Sequence, residues 1–190
     1  MRHPLALLIP LLWAAWCVYW MIASAFAKPV RRRESAASRS AHIVPLVLGV
    51  ALLSSRRLAA PVLDARFLPL APTWFWLGTT LVAIGLLFSA AARMQLGGNW
   101  SGTVTLKHDH TLTRGGPYRV VRHPIYTGML LAVLGTAVAV GEWRGLVALA
   151  LVLAAFLRKV RVEERFMLEA FGEEYARYRR EVPALLPWIG

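Results

Sequence analysis

Several stretches of this chain are long and apolar enough to cross a bilayer, and that requirement limits its backbone to very few conformations. Inside hydrocarbon every N–H and C=O must be paired within the protein, so a spanning segment is a helix of about 20 mostly apolar residues or part of a closed barrel. Leu5 to Ala27 meets the helical requirement. It is longer than a signal-peptide core, and although Ala23-Ser24-Ala25 has the small residues of a cleavage site, its length and Trp content match the later segments, so it reads as an uncleaved span. Trp74 to Ala92 is a second clear span with Trp74, Phe75 and Trp76 as an interface belt. Ile43 to Ser55 is shorter, and Arg56-Arg57 would let its helix reach Ala60 by snorkelling. Tyr126 to Val140 and Leu146 to Leu157 flank Gly141-Glu142-Trp143-Arg144-Gly145 and read as a tight helical hairpin.

The expected fold is therefore an all-α integral membrane protein of about five transmembrane helices, the fourth and fifth forming the hairpin. A hydrophobic share of 57% agrees with that class, since soluble domains hold about 45–50%. The single cysteine, Cys17, excludes a disulfide framework or a cysteine metal site. Apart from Arg2, Arg56, Arg57, Arg66 and Arg144, every Lys and Arg falls in the link after the first span, in the long third loop or in the tail. The positive-inside rule then puts that loop and the tail in the cytoplasm and the N-terminus outside. The net charge of +12 is placed beside spans, where anionic headgroups explain it without nucleic acid.

Residues 1–92 are spans joined by short links, whereas residues 93–190 interleave polar and apolar residues, and chemistry is expected in this second part of a single membrane domain. Gly97-Gly98-Asn99-Trp100-Ser101-Gly102 is a turn-rich cluster without phosphate-loop spacing, and Thr103 to Leu106 is a short extended piece. His108, Asp109 and His110 alternate but have no spaced second cluster, so no metal is expected. In Thr113 to Gly128 a Gly-Gly-Pro turn precedes Arg122-His123-Pro124. The residue before a proline is pushed to an extended conformation, so a helix starts at Pro124 and leaves Arg122 and His123 outside its first turn. Tyr126 falls within that turn, and Gly128 permits close approach of a helix or ligand. The segment reads equally as an interface anchor and as half of an anion-binding site. Along Arg158 to Arg180, Val160, Glu163 or Glu164, Met167, Phe171, Tyr175 and Tyr178 recur at helical spacing, the signature of a cytoplasmic amphipathic helix that Gly172 weakens and Pro183 ends.

Together the elements GPYR-x-VRHP-x-Y-x-G (Gly116 to Gly128) and EE-x6-FG-x-EY-x2-Y-x3-VP-x3-P (Glu163 to Pro187) resemble the isoprenylcysteine carboxyl methyltransferase family and the related membrane phospholipid methyltransferases. The resemblance covers residues 93–190 and implies transfer of a methyl group from S-adenosylmethionine to a lipophilic, membrane-resident acceptor. The acceptor expected is the carboxyl group of an isoprenylcysteine-like substrate, and the pocket opens to the cytoplasm. Tyr118, His123, Pro124, Tyr126, Gly128, Glu163, Glu164 and Tyr175 are the residues it assigns to the cofactor, with Arg122 and Glu164 in catalytic roles. Either glutamate would take the cofactor's ammonium, and the tyrosines would offer ring faces to adenine or sulfonium. A carboxylate acceptor needs no base and Arg122 would orient it; an amine or thiol acceptor, as in a phospholipid methyltransferase, would call on His123 or Glu164. An NADPH-dependent sterol or double-bond reductase and a non-catalytic lipid-binding scaffold are the readings from other classes.

Overall fold

The computed structural model describes residues 7–25, 30–100, 105–107 and 112–187. Its helices are α1 (Leu8–Ser24), α2 (Ala36–Ser54), α3 (Pro72–Leu96), α4 (Pro124–Val140), α5 (Trp143–Phe171) and α6 (Glu173–Glu181). α2 and α3 are long and apolar enough to span a membrane, and α1 and α4 are shorter apolar helices. Large apolar side chains such as Leu11, Met21, Ile22, Val44, Val47 and Leu87 point outward, a surface that hydrocarbon solvates and water does not.

The fold departs from the sequence expectations in four places. α2 begins well before Ile43, because the Ser35 hydroxyl accepts from the Ser38 N–H at 3.2 Å and caps its first turn. It also stops at Ser54 instead of reaching Ala60; Ser55 is extended and Arg56–Leu58 forms a 3-10 turn, with Arg56 drawn away to Glu142. The amphipathic segment is not separate, since α5 runs without a break from the hairpin through Leu157 to Phe171. Gly172, at φ +50, ends it and turns the chain into the short α6. The protein is also not purely helical: β1 (Val30–Arg33) pairs antiparallel with β2 (Thr105–Lys107), joining the link after α1 to the loop after α3.

α3 and α4 form the tightest contact in the molecule because glycines on both helices repeat every seven residues. Gly78 faces Gly135 and Gly85 faces Gly128, each so close to the opposing carbonyl that no Cβ fits. A methyl at Gly135 would lie 2.5 Å from the Gly78 carbonyl oxygen and 2.7 Å from the Val82 nitrogen. Gly135→Val is therefore expected to push the two helices apart and destabilise the protein by about 1–3 kcal/mol or more, read as a lowered thermal midpoint in detergent. α2 packs on α5 in the same manner, with Gly49 against Val152 and Ala148.

At the hairpin turn Gly141 adopts φ +67 and Glu142 is buried. Glu142 pairs with Arg56 and accepts from Arg144 Nε at 2.6 Å, while Arg144 Nη1 donates to the last carbonyls of α2, Leu52 at 2.6 Å and Leu53 at 2.9 Å. This clasp closes one end of the helical bundle. The start of α4, the end of α3, the start of α2 and the extension of α5 meet at the other end.

Candidate functional site

The start of α4 is fixed by the tail, whose backbone returns beside it as a strap. The Arg122 N–H donates to the Pro183 carbonyl at 2.8 Å, the His123 N–H to Ala184 at 3.0 Å, and the Thr127 hydroxyl to Leu185 at 2.6 Å. Val182-Pro183 stops α6 and supplies the extended backbone for this pairing. With His123 as N-cap and Pro124 in the first turn, Arg122 and His123 stand outside the helix as the sequence predicted.

Five side chains converge there, with Lys159 and Arg179 beside them. Arg122 donates to Glu164 Oε1 from Nε at 2.9 Å and from Nη2 at 2.7 Å, and its Nη1 donates to the carbonyls of Arg179, at 2.9 Å, and Val182. His123 lies between the glutamates, Nδ1 3.4 Å from Glu163 and Nε2 3.4 Å from Glu164. The Tyr126 hydroxyl donates to Glu163 at 2.5 Å. Lys159 lies 4.0 Å from Glu163 and 5.3 Å from the centre of the Tyr126 ring, and Arg179 Nε lies 3.5 Å from Glu164. Tyr126 also stacks on His123, at 5.7 Å between centroids, and on Phe156, at 4.8 Å.

Electrostatics fix the protonation of this cluster. Burial disfavours the ionised form of Glu164, but hydrogen bonds from His123 and Arg122 outweigh it and hold its carboxyl down to about 2. Glu163 is lowered too, against burial, by His123, Lys159 and Tyr126. For His123 burial works against the cation, yet the two carboxylates prevail and raise its pKa. The cluster thus sets two carboxylates, which favour the imidazolium form, around His123 beside the Arg122 guanidinium, and Glu164, held that low, is a weak base.

Arg122, His123, Tyr126, Glu163 and Glu164, all singled out from sequence, come together. The remaining candidates surround them in other ways. Tyr118 is buried with Ala92 and Ile125, and its carbonyl accepts from Tyr178 Oη at 2.6 Å. Tyr175 is buried edge-on to Tyr178. Pro124 is buried in the first turn, and Gly128 is spent on the contact with Gly85. His108, Asp109 and His110 lie outside the described residues. Sequence reasoning missed Arg179 and the strap carbonyls, and it read Lys159 as a surface partner of the glutamates, through its helical spacing to Glu163, without placing it in the site.

The phospholipid methyltransferase family model matches residues 73–174, more than half of the chain and the stretch from α3 to the start of α6. The protein-S-isoprenylcysteine O-methyltransferase of Schizosaccharomyces pombe is 33% identical over 111 residues, covering 57% of this chain and 47% of the relative. The cobalt-zinc-cadmium resistance protein CzcN of Cupriavidus metallidurans is 33% identical over 114 residues, covering 59% of this chain and 51% of the relative. The chain spans about half the length of these curated relatives. Among solved structures, that of the eukaryotic intramembrane Ras methyltransferase, an isoprenylcysteine carboxyl methyltransferase, has the same fold over 82% of this chain and 54% of that one, with a TM-score of 0.53 and 22% identity. The chain belongs to the phospholipid methyltransferase family and, within it, is related to the isoprenylcysteine carboxyl methyltransferases.

Proposed function

We propose that this protein transfers the methyl group of S-adenosylmethionine to the carboxylate of a lipophilic, isoprenylcysteine-like acceptor, with residues 93–190 as the catalytic region and the basic end of the bundle facing the cytoplasm. The observation that carries the reading is the ion-paired cluster at the start of α4. Both ring nitrogens of His123 face carboxylates and Glu164 is held far below neutrality, so the cluster offers no general base. An amine or a thiol would have to lose a proton, whereas a carboxylate arrives ionised. The names of the relatives point the same way.

The residues suit the donor. Glu163, more open than Glu164 at 22% against 12% side-chain exposure, stands with Lys159, His123 and Tyr126 as a mixed-charge set whose ring faces suit the adenine and sulfonium of the donor. S-adenosylmethionine, when bound, supplies an electrophilic methyl on its sulfonium. The protein's share is alignment, which is worth a large part of the rate in an in-line displacement. Arg122 contributes by position: four of its five N–H donors are held by Glu164 and the tail carbonyls, which fixes the strap and the glutamate against the start of α4.

Calorimetric titration of the detergent-purified protein with S-adenosylhomocysteine and with NADPH tests the reading. Binding of the first alone is expected; binding of NADPH alone would support the reductase, and binding of neither would overturn the methyltransferase. Methyl-label transfer to N-acetyl-S-farnesylcysteine, against the same compound with its carboxylate already esterified, separates carboxyl transfer from other acceptors.

A further inference from the structure

Glu163 and Glu164 are poor receptors for a further cation, because their oxygens already face Arg122, His123, Tyr126, Lys159 and Arg179. A third carboxylate lies within electrostatic reach of Tyr126 and comes from the part of the chain in which the sequence showed no chemistry. Glu34 sits between β1 and the Ser35 cap of α2, so the chain is held on both sides of it. Its side chain is 2% exposed, yet among the described residues neither carboxylate oxygen has a hydrogen-bond donor. Among the described residues its ionic partner is His42 Nε2 at 3.5 Å. His42 is buried, and its second ring nitrogen also has no partner. Lys159, Arg158 and Glu163, on the turn of α5 that serves the cluster at the start of α4, lie within electrostatic reach of His42. The Arg158 Nε is buried without a partner as well.

Burying a carboxylate with empty lone pairs is costly, and a native protein keeps such a group where a ligand completes it. Glu34 and Arg158 both lie within electrostatic reach of His42, and an unmatched carboxylate together with an unmatched guanidinium nitrogen is complementary to a free amino acid, which carries an ammonium and a carboxylate. We propose that Glu34 receives the α-ammonium of the bound methyl donor, with His42 orienting its carboxylate and Arg158 offering Nε to the donor's own carboxylate. This rests on the methyl-transfer reading and assigns a binding residue outside the family-matched segment, residues 73–174.

The test is calorimetry on the full chain with two probes, S-adenosylhomocysteine and 5′-deoxy-5′-methylthioadenosine, which keeps the adenosine and the thioether but lacks the amino acid. Glu34→Gln is expected to weaken the first by about ten- to a hundredfold, the worth of one charge-assisted hydrogen bond, and to leave the second within twofold of wild type. Glu34→Asp, with its charge kept on a shorter arm, should fall between. Unchanged affinity for S-adenosylhomocysteine in Glu34→Gln would overturn the assignment, as would an equal loss for both probes, which marks a structural role. A wild-type protein that binds neither probe would remove the methyl-transfer reading itself, so the two failures are distinguishable.

Discussion

Arg122→Ala is expected to reduce methyl transfer at least a hundredfold and to weaken S-adenosylhomocysteine binding with it. One guanidinium connects four parts of the chain: its own place before α4, Glu164 on α5, the Arg179 carbonyl in α6 and the Val182 carbonyl in the strap. Without it Glu164 keeps, among the described residues, His123 and the half-exposed Arg179 as partners, and the strap loses part of its hold on the site. A displacement of about 1 Å in an aligning element is enough for a loss of that size. Arg122→Lys tests the cause. Lysine retains the charge but not the planar fork, and its three donors on a single nitrogen cannot make the four bonds that Arg122 makes from three nitrogens, so it should restore less than a tenth of wild-type turnover. The readouts are initial rates of label transfer to N-acetyl-S-farnesylcysteine and the affinity for S-adenosylhomocysteine, both on protein shown to be folded by its thermal transition. Wild-type rates in Arg122→Ala would sink the role given to this residue, and full rescue by lysine would reduce that role to charge alone.

Arg122 divides what residue types disclose from what only the fold supplies. The proline after His123 announces a helix start, and the tail glutamates recur on one helical face, so the convergence of Arg122, His123, Tyr126, Glu163 and Glu164 is legible from residue types and spacing. Its function as a tie is not, because two of its partners are backbone carbonyls, and no residue type marks a carbonyl that the fold will turn inward. Glu34 and His42 were invisible for a related reason. They lie in a basic link and at the start of an apolar helix, where a lone carboxylate and a lone imidazole look like interface residues, and their burial belongs to the folded packing, which no residue type announces. The continuation of α5 past Leu157 also escaped, since Arg158 and Lys159 look like the end of a span. In the fold those charges remain helical because Glu163 and the ring of Tyr126 receive Lys159. The glycine contact was half legible: Gly128 was marked for close approach, but the opposing Gly85 and the second pair, Gly78 and Gly135, matter only once α3 and α4 are antiparallel neighbours.

At the opposite end, Glu142→Ala is expected to cost about 3–5 kcal/mol, the range for removing one partner of a buried ion pair. Glu142 is 1% exposed and is the shared acceptor of Arg56 and Arg144. Its loss leaves the buried Arg144 guanidinium with two α2 carbonyls and, at 3.7 Å, Asp64. Arg56→Ala should cost far less, about 1 kcal/mol or below, because that side chain is 64% exposed and its charge is screened. The contrast is what identifies the buried half of the clasp as the stabilising one. Replacing Glu142 and Arg144 together, by Gln and Met, should recover part of the loss, since a missing pair leaves no orphaned charge where a missing partner does. Thermal unfolding in detergent reads all three variants. A Glu142→Ala midpoint equal to wild type, or a double variant less stable than Glu142→Ala, would refute this account. Because the clasp and the start of α4 lie at opposite ends of that helix, affinity for S-adenosylhomocysteine well below the midpoint should stay within about twofold of wild type, which separates the loss of a fastening from the loss of a site.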